Sequence, residues 1–557
     1  MRKYTIVAIA VVLSVVLVTQ TFSNKKKQET NPITHEMIAT AERLLGLSFT
    51  GAERDTMQKN LQEFRKNYKE IRDEAIPNSL APSLQFNPLP TGFEIPEQEG
   101  KPSWQLPEKV ELPGDPAQIA FMPVYKLALL IKTQKITSEE LTKIYLERLK
   151  KYGDTLQSVV TLTEEPALEQ ARRADREIAA GNYRGPLHGI PYGVKDLLAV
   201  KGYKTTWGAM PYKDQTIDKT ATVVKKLEEA GAVLLGKLSM GALAMGDVWY
   251  DGVTKNPWDL EQGSSGSSAG SASCTAAGLV GFSIGTETYG SIVSPSTRCG
   301  VTGLRPTFGR VSRADAMALS WSMDKIGPIC RSAKDAAMVL EVIRGKDAGD
   351  PTTRDAAYSP DFKKDVKDLK VAYIKDFFKS DYRARKNDSL ALQKIKELGI
   401  EPEAVKFPSD LPVQSMLIIL DAEAGAAFDK LTRSNRDSLL VAQHRNAWPN
   451  IFRASRFIPA VEYIQANRLR TKLINQIHAF MKEYDVVITP SFGGNQLLTT
   501  NLTGHPCVVI PNGFDKKGHP TSISFLGNLY DEEKLVEFAH YVQENTDWED
   551  KHPEYFE

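Results

Sequence analysis

The chain has 557 residues, 41% of them hydrophobic, and 70 Lys and Arg balance 69 Asp and Glu for a net charge of +1. That length permits a large core in one domain or several, and the charge balance supplies no electrostatic footprint for nucleic acid or an acidic lipid surface. The four cysteines (274, 299, 330 and 507) form no CxxC pair and the eight histidines form no HExxH, so neither metal nor cofactor is expected and the thiols read as unpaired core residues.

In chain order, Arg2 and Lys3 precede an apolar run from Tyr4 to Val18, followed by Thr19 to Ser23 and then Lys25-Lys26-Lys27. Residues 1–23 therefore read as a secretory signal peptide, or as a membrane anchor if uncleaved. The run is short against the ~20 residues of a membrane span. On this reading the protein is exported, to a periplasmic or extracellular location, with any membrane attachment confined to the N-terminal segment. Residues 24–114 form an extension. Two helices are expected over 34–75, with Met37, Ala41, Leu44 and Leu45, then Leu61, Phe64 and Tyr68, at helical spacing. From Ala75 to Gly114 the chain carries Pro77, Pro82, Pro88, Pro90, Pro96, Pro102, Pro107 and Pro113, the composition of a linker or an extended surface strap.

Residues 115–557 read as one α/β domain. Thr137-Ser138-Glu139-Glu140 caps a helix running to Tyr152, and Ala167 to Ala180 is a second amphipathic helix. Tyr192-Gly193-Val194 is a buried strand, Ala221 to Ala230 a helix, and Ala232 to Leu235 a strand. Further on, Leu369 to Tyr373 is a strand, Asp388 to Leu398 a helix, and 411–484 mostly helical. Asp485 to Pro490 and Cys507 to Pro511 return to strand. Strands alternating with helices imply a mixed sheet layered with helices.

The most unusual segment is Gly263 to Ser273, built from Gly, Ser and Ala. It is short, lies inside the domain, and leads into the small-residue run Cys274 to Val280, which suits a tightly buried helix rather than a flexible linker. A second segment, Gly285-Thr286-Glu287-Thr288-Tyr289-Gly290-Ser291-Ile292, comes after the strand-like Phe282-Ser283-Ile284. A serine on a glycine-containing turn at a strand end is a candidate nucleophile, with neighbouring amides available to a developing oxyanion. Ser268 and Ser283 match GxSxG by letter but not its strand-to-helix context. A nucleophilic serine needs a base. His188 and His505 are distant candidates. Lys195, ending the apolar run from Ile190, is another, because burial favours the neutral amine; an ion pair with Asp196 is the competing reading.

Taken in order, these segments resemble the amidase signature family. The resemblance is carried by Gly185 to Asp196, Asn256-Pro257-Trp258-Asp259, the Gly/Ser run and Gly285 to Ile292. It continues through Cys299 to Thr307, Gly309 to Ser312, Asp324 to Pro328 and Asn501 to Pro506, spanning roughly Asp115 to Thr546. It implies the amidase-signature α/β fold, a mixed β-sheet core covered by helices on both faces, and a Ser–cis-Ser–Lys triad. Position by position, Lys195 matches the base, Ser267 the bridging serine with its cis peptide bond, and Ser291, 24 residues further on, the nucleophile. The oxyanion hole would be the amides of Thr288, Tyr289, Gly290 and Ser291.

The activity implied is hydrolysis of a small amide, without cofactor, metal or nucleic acid. Oligomeric state is left open, a dimer being one option. Two other roles carry different consequences. A glutamine-dependent amidotransferase subunit supplying ammonia for tRNA charging needs cytoplasmic partners, which the N-terminal segment speaks against. A catalytically silent binding protein on this fold would not need Lys195, Ser267 and Ser291 together. The chain departs from the family pattern at Tyr289 (Gly there), at Ala269 (Gly) and at Val293, where many members carry Arg. By analogy, residues 240–250 and 411–470 line or cover the pocket; Trp448, Phe452, Phe457 and Tyr463 read as core first and substrate contacts second.

Overall fold

The computed structural model describes residues 32–97, 100–408 and 410–557; the signal or anchor expected over residues 1–23 lies outside them. The chain divides into two compact units, the first ending at Pro77 and the second running from Asn78 to Glu557. Among the described residues no helix is long and apolar enough to cross a membrane.

In the first unit, α1 (His35–Leu45) and α2 (Gly51–Asp73) occupy the region expected to be helical. Thr34 caps α1, and Gly46 ends it in the left-handed conformation. Thr50 and Glu53 form a reciprocal capping box on α2. The expected apolar faces are not the ones covered. Met37, Leu44, Phe64 and Tyr68 are exposed, whereas Ile38 and Glu42 are buried. The buried Glu42 is satisfied by a bidentate pair: Arg54 of α2 donates to both of its carboxylate oxygens, at 2.9 and 2.8 Å.

The second unit is built on one eleven-stranded sheet. Its strands are β1 (Val159–Leu162), β2 (Pro191–Lys195), β3 (Val233–Leu238), β4 (Phe282–Glu287), β5 (Thr302–Arg305), β6 (Lys325–Cys330), β7 (Val371–Ile374), β8 (Glu403–Val405), β9 (Val486–Pro490), β10 (Cys507–Phe514) and β11 (Pro520–Leu526). The spatial order is β1-β3-β2-β4-β6-β5-β10-β11-β9-β7-β8. β2 lies parallel between β3 and β4, and β7 parallel between β9 and β8; the other pairs are antiparallel. A strand flanked on both sides and covered above and below is mostly apolar; every residue of β2, β3, β4 and β6 is buried, including Lys195, Lys237, Glu287 and Lys325.

Helix α3 (Ser138–Leu156) starts where Thr137 is expected to cap it, with Thr137 and Glu140 closing a capping box, and it packs on β2, β3 and α4 (Ala269–Ala276). The Gly/Ser run ends in α4, whose eight residues are all buried. β4 leads through 288–292 into α5 (Val293–Cys299) and then β5. All four cysteines are buried and unpaired. Over 411–484 the helices are Ile418–Ala427, Asp429–Arg433, Trp448–Ser455 and Ala460–Met481.

The Pro-rich stretch packs on this unit. Phe86 sits edge-on to Phe308 and carries the Arg470 guanidinium over its ring, 3.5 Å from the centroid. Leu89, Phe93 and Ile95 cover Ala356, Leu529 and Tyr530. Further along, Ser103 N–H donates to the Pro360 carbonyl at 2.9 Å.

Candidate active site

Because neighbouring residues on a strand face opposite ways, Lys195 and Asp196 at the end of β2 part company. Asp196 turns to the buried Lys237, 2.8 Å away, and accepts from the Thr206 amide at 2.9 Å. The competing ion-pair reading for Lys195 is thereby removed. Lys195, fully buried, instead directs Nζ at hydroxyls: Ser267 Oγ at 2.8 Å, Thr286 Oγ1 at 2.8 Å and Ser268 Oγ at 3.1 Å, with the Thr286 carbonyl at 3.4 Å. Burial pushes its ammonium down to about 7, against a smaller upward pull from Asp324 and Glu287.

The Gly266–Ser267 peptide bond is cis, the one such bond among the described residues. Glycine is required at 266, since a Cβ there would stand 1.8 Å from the Gly246 carbonyl oxygen. The next residue, Ser268, clasps β4 with its hydroxyl, accepting from Thr286 N and donating to Thr286 O, both at 3.1 Å. Its amide donates to the Ser291 carbonyl at 3.3 Å, which joins the Ser267 backbone to the Ser291 loop.

Ser291 lies in the turn after β4, 8% exposed, with Gly290 before it at φ +88°. Glu287, the last residue of β4, anchors the start of α5: its Oε2 accepts from the Ile292 and Val293 amides at 2.8 and 3.0 Å. Its Oε1 accepts from Arg305 Nη1 at 2.7 Å and Asn501 Nδ2 at 2.8 Å. Burial raises this carboxyl, but the Arg305 charge and these donors outweigh it and hold it at about 2. The amides after Ser291 are thus occupied. Those of Tyr289, Gly290 and Ser291 itself meet no protein acceptor among the described residues. Thr288 Oγ1 donates to Asp324 at 2.6 Å, and burial raises that carboxyl.

The histidines stand elsewhere. His188 lies 3.1 Å from Glu177 and accepts from Arg184 N, and His505 is buried beside Thr503 and pushed to about 3 by desolvation. Ser283 spends its hydroxyl on Ser271 and Thr275. Trp448 and Phe452 are stacked core residues, Phe457 faces solvent, and Tyr463 donates to Glu423. Among the described residues no three His, Cys, Asp or Glu side chains gather as metal ligands would.

Thr286, Ser268 and Asp324 are neighbours of the site to which the sequence analysis gave no place beside Lys195 or Thr288. Their letters are unremarked small or acidic residues, and only the pairing of β4 with β2 and β6 brings them to Lys195 and Thr288.

A family model described as Amidase matches residues 140–500. The chain belongs to the amidase signature family. Its relatives include the A-type subunit of a glutamyl-tRNA(Gln) amidotransferase from Moorella thermoacetica, 31% identical over 484 residues, covering 78% of this chain and 99% of that protein. Among solved structures, the native peptide amidase of Stenotrophomonas maltophilia superposes with a TM-score of 0.68 at 28% identity, covering 76% of this chain and 97% of that one. A protein of a vestigial complex tied to the origins of an s-triazine catabolic enzyme reaches 0.70 at 25% identity, covering 76% and 98%. This amidase signature chain is therefore matched across its α/β unit, and amide hydrolysis is the chemistry its family supports.

Proposed function

We propose that the chain hydrolyses a carboxylic amide through an acyl-enzyme on Ser291, with Ser267 and Lys195 as its proton relay. The observation carrying this is a fully buried lysine whose Nζ lies 2.8 Å from Ser267 Oγ, with no carboxylate among the described residues in hydrogen-bond reach. With its pKa near 7, much of Lys195 is neutral at neutral pH and able to accept a proton.

In this reading Lys195 takes the Ser267 proton as Ser267 takes that of Ser291, and Ser291 Oγ attacks the amide carbon. The amides of Tyr289, Gly290 and Ser291, with that of Thr288, receive the oxyanion. As the tetrahedral adduct collapses, the C–N bond breaks and the relay returns the proton to the leaving nitrogen. Water then attacks the ester, its proton passing to the relay, and the acid departs with Ser291 restored.

A small, reactive fluorophosphonate tests the assignment: label should map to Ser291 and vanish in Ser291→Ala. Label on another serine, or none on the wild type, overturns it, the latter matching a silent binding protein. Hydrolysis should also fall roughly tenfold per pH unit below about 7 as Lys195 is protonated; a flat profile to pH 5 would sink the lysine base.

A second reading, ammonia release from glutamine, is favoured by the names of the sequence relatives. Glutaminase activity of the purified chain decides between them. Export rests on residues 1–23 and is tested by N-terminal sequencing of protein recovered outside the cytoplasm.

A further inference from the structure

The Pro-rich strap enters the second unit at Asn78, and there it touches the machinery around Ser291. The Asn78 side-chain amide pairs with the backbone of one residue: Ala318 N donates to Oδ1 at 2.8 Å and Nδ2 donates to the Ala318 carbonyl at 2.9 Å. The next two amides of that loop, Leu319 and Ser320, donate to Asp324 Oδ2 at 2.8 and 3.0 Å, and Asp324 Oδ1 accepts from Thr288. A continuous series of hydrogen bonds and peptide groups thus runs from the strap to the turn that carries Ser291.

Beside this series lies a cavity of about 70 Å³. Ser79 and Ala81 of the strap form part of its lining. Thr286, the Lys195 partner, and Thr288 line it too, and Leu197, Ala244, Met317, Leu319 and Ile326 make the rest mostly apolar. Of the charged groups at its edge, Arg313 is ion-paired with Asp350 at 3.0 Å, whereas Asp324 is held by Thr288 and the two loop amides and Lys325 by the Met323 carbonyl, and burial disfavours the charged form of both. A ligand's α-ammonium and α-carboxylate would both have to enter a small, mostly apolar space, and burying a charge there is costly.

We propose that this cavity, walled in part by strap residues Ser79 and Ala81, belongs to the substrate pocket, and that it takes a small uncharged apolar group of the amide rather than an amino acid such as glutamine. The inference rests on the Ser291 reading. Ser79 and Ala81 set the room available, and Asn78 is a positioning residue acting through Ala318 and Asp324 on the Thr288–Ser291 turn.

The test uses the full chain on a series of primary amides from acetamide upward, with glutamine alongside. Wild-type enzyme should favour a short aliphatic amide over glutamine by about a hundredfold. Ala81→Phe and Ser79→Leu should each shift the size optimum to smaller amides, changing the ratio of kcat/KM between neighbouring members about tenfold. Asn78→Ala should lower kcat about tenfold with KM changed less, as expected when a reacting turn is displaced. Labelling of wild type at Ser291 with no shift in the size profile of either wall variant overturns the strap proposal alone. Preference for glutamine overturns the substrate class. Loss of labelling from wild type would instead strike the parent reading. If Ala81→Phe fails to fold, Ser79→Leu and Asn78→Ala decide, and unchanged kinetics in both overturn the proposal.

Discussion

Lys195 is buried among three hydroxyls, and that burial bears on stability as well as on its proposed role as a base. Its ordinary pKa is 10.5 and its folded value about 7. Between those values the unfolded chain holds a proton on this side chain that the folded chain does not. Stability therefore rises with pH across that window, by about 1.4 kcal/mol per pH unit from this group alone. Below pH 7 both states are protonated and the full cost of burying the ammonium remains. Lys195→Met removes the group, so the difference in unfolding free energy, wild type minus variant, should climb steadily from pH 7 to 10 in urea titrations. A constant difference would show that the buried ammonium is not depressed. The lysine was legible in the sequence because an apolar run ends on it. Of its hydroxyl partners Ser267 was named through the family resemblance, whereas Ser268 and Thr286 were not, since they reach it only through the pairing of β2 with β4.

At the scale of elements, the turn between β4 and α5 is held by a carboxylate rather than by packing alone. Glu287 accepts two amides just beyond Ser291 and faces Arg305 across the sheet, both side chains being fully buried. Removing one member of such a pair leaves the other as an uncompensated buried charge, so Glu287→Gln should cost about 3–5 kcal/mol. It should also depress kcat more than KM, because the turn loses its anchor. Pairing it with Arg305→Met should recover part of the stability without restoring kcat, since the two amides still lack a charged acceptor. Unfolding midpoints and steady-state kinetics of the three variants check this; equal stability of Glu287→Gln and wild type would remove the anchoring role. Element identity was readable where local chemistry speaks: the Thr137 cap, the buried run of β2, the small-residue α4. The apolar spacing in α1 and α2 located the helices, but Met37, Leu44, Phe64 and Tyr68 stand exposed, while Ile38 is buried together with Glu42, which pairs with Arg54.

Over the whole of the second unit, the sheet order gathers β2, β4, β6 and β5 as neighbours although 110 residues of chain separate Lys195 from Arg305. No local pattern encodes that order, so the triad emerged from the sequence only through family resemblance. The same unit is closed at its C-terminus by a contact the sequence did not suggest. Phe556 is fully buried, edge-on to Tyr152 with ring centroids 5.0 Å apart. Its carbonyl accepts from Arg148 Nη2, and Arg148 also donates to the Ala277 and Gly278 carbonyls at 2.9 and 2.8 Å. One guanidinium on α3 therefore ties the chain end to the C-terminal end of α4, whose opposite end carries Ser268. Deleting Pro553–Glu557 would empty the Phe556 site and strip one acceptor from a buried cation, at a cost of about 3–5 kcal/mol. The proposed relay lies at the far end of α4, so hydrolysis at 25 °C should persist while the urea midpoint falls. Arg148→Met in the full-length chain should reproduce part of that loss by freeing the same carbonyls. A truncated chain as stable as the full one would show that α4 is held without the tail. A truncated chain that stays folded but no longer labels at Ser291 would show instead that the tail governs the placement of Ser268 and the turn it binds.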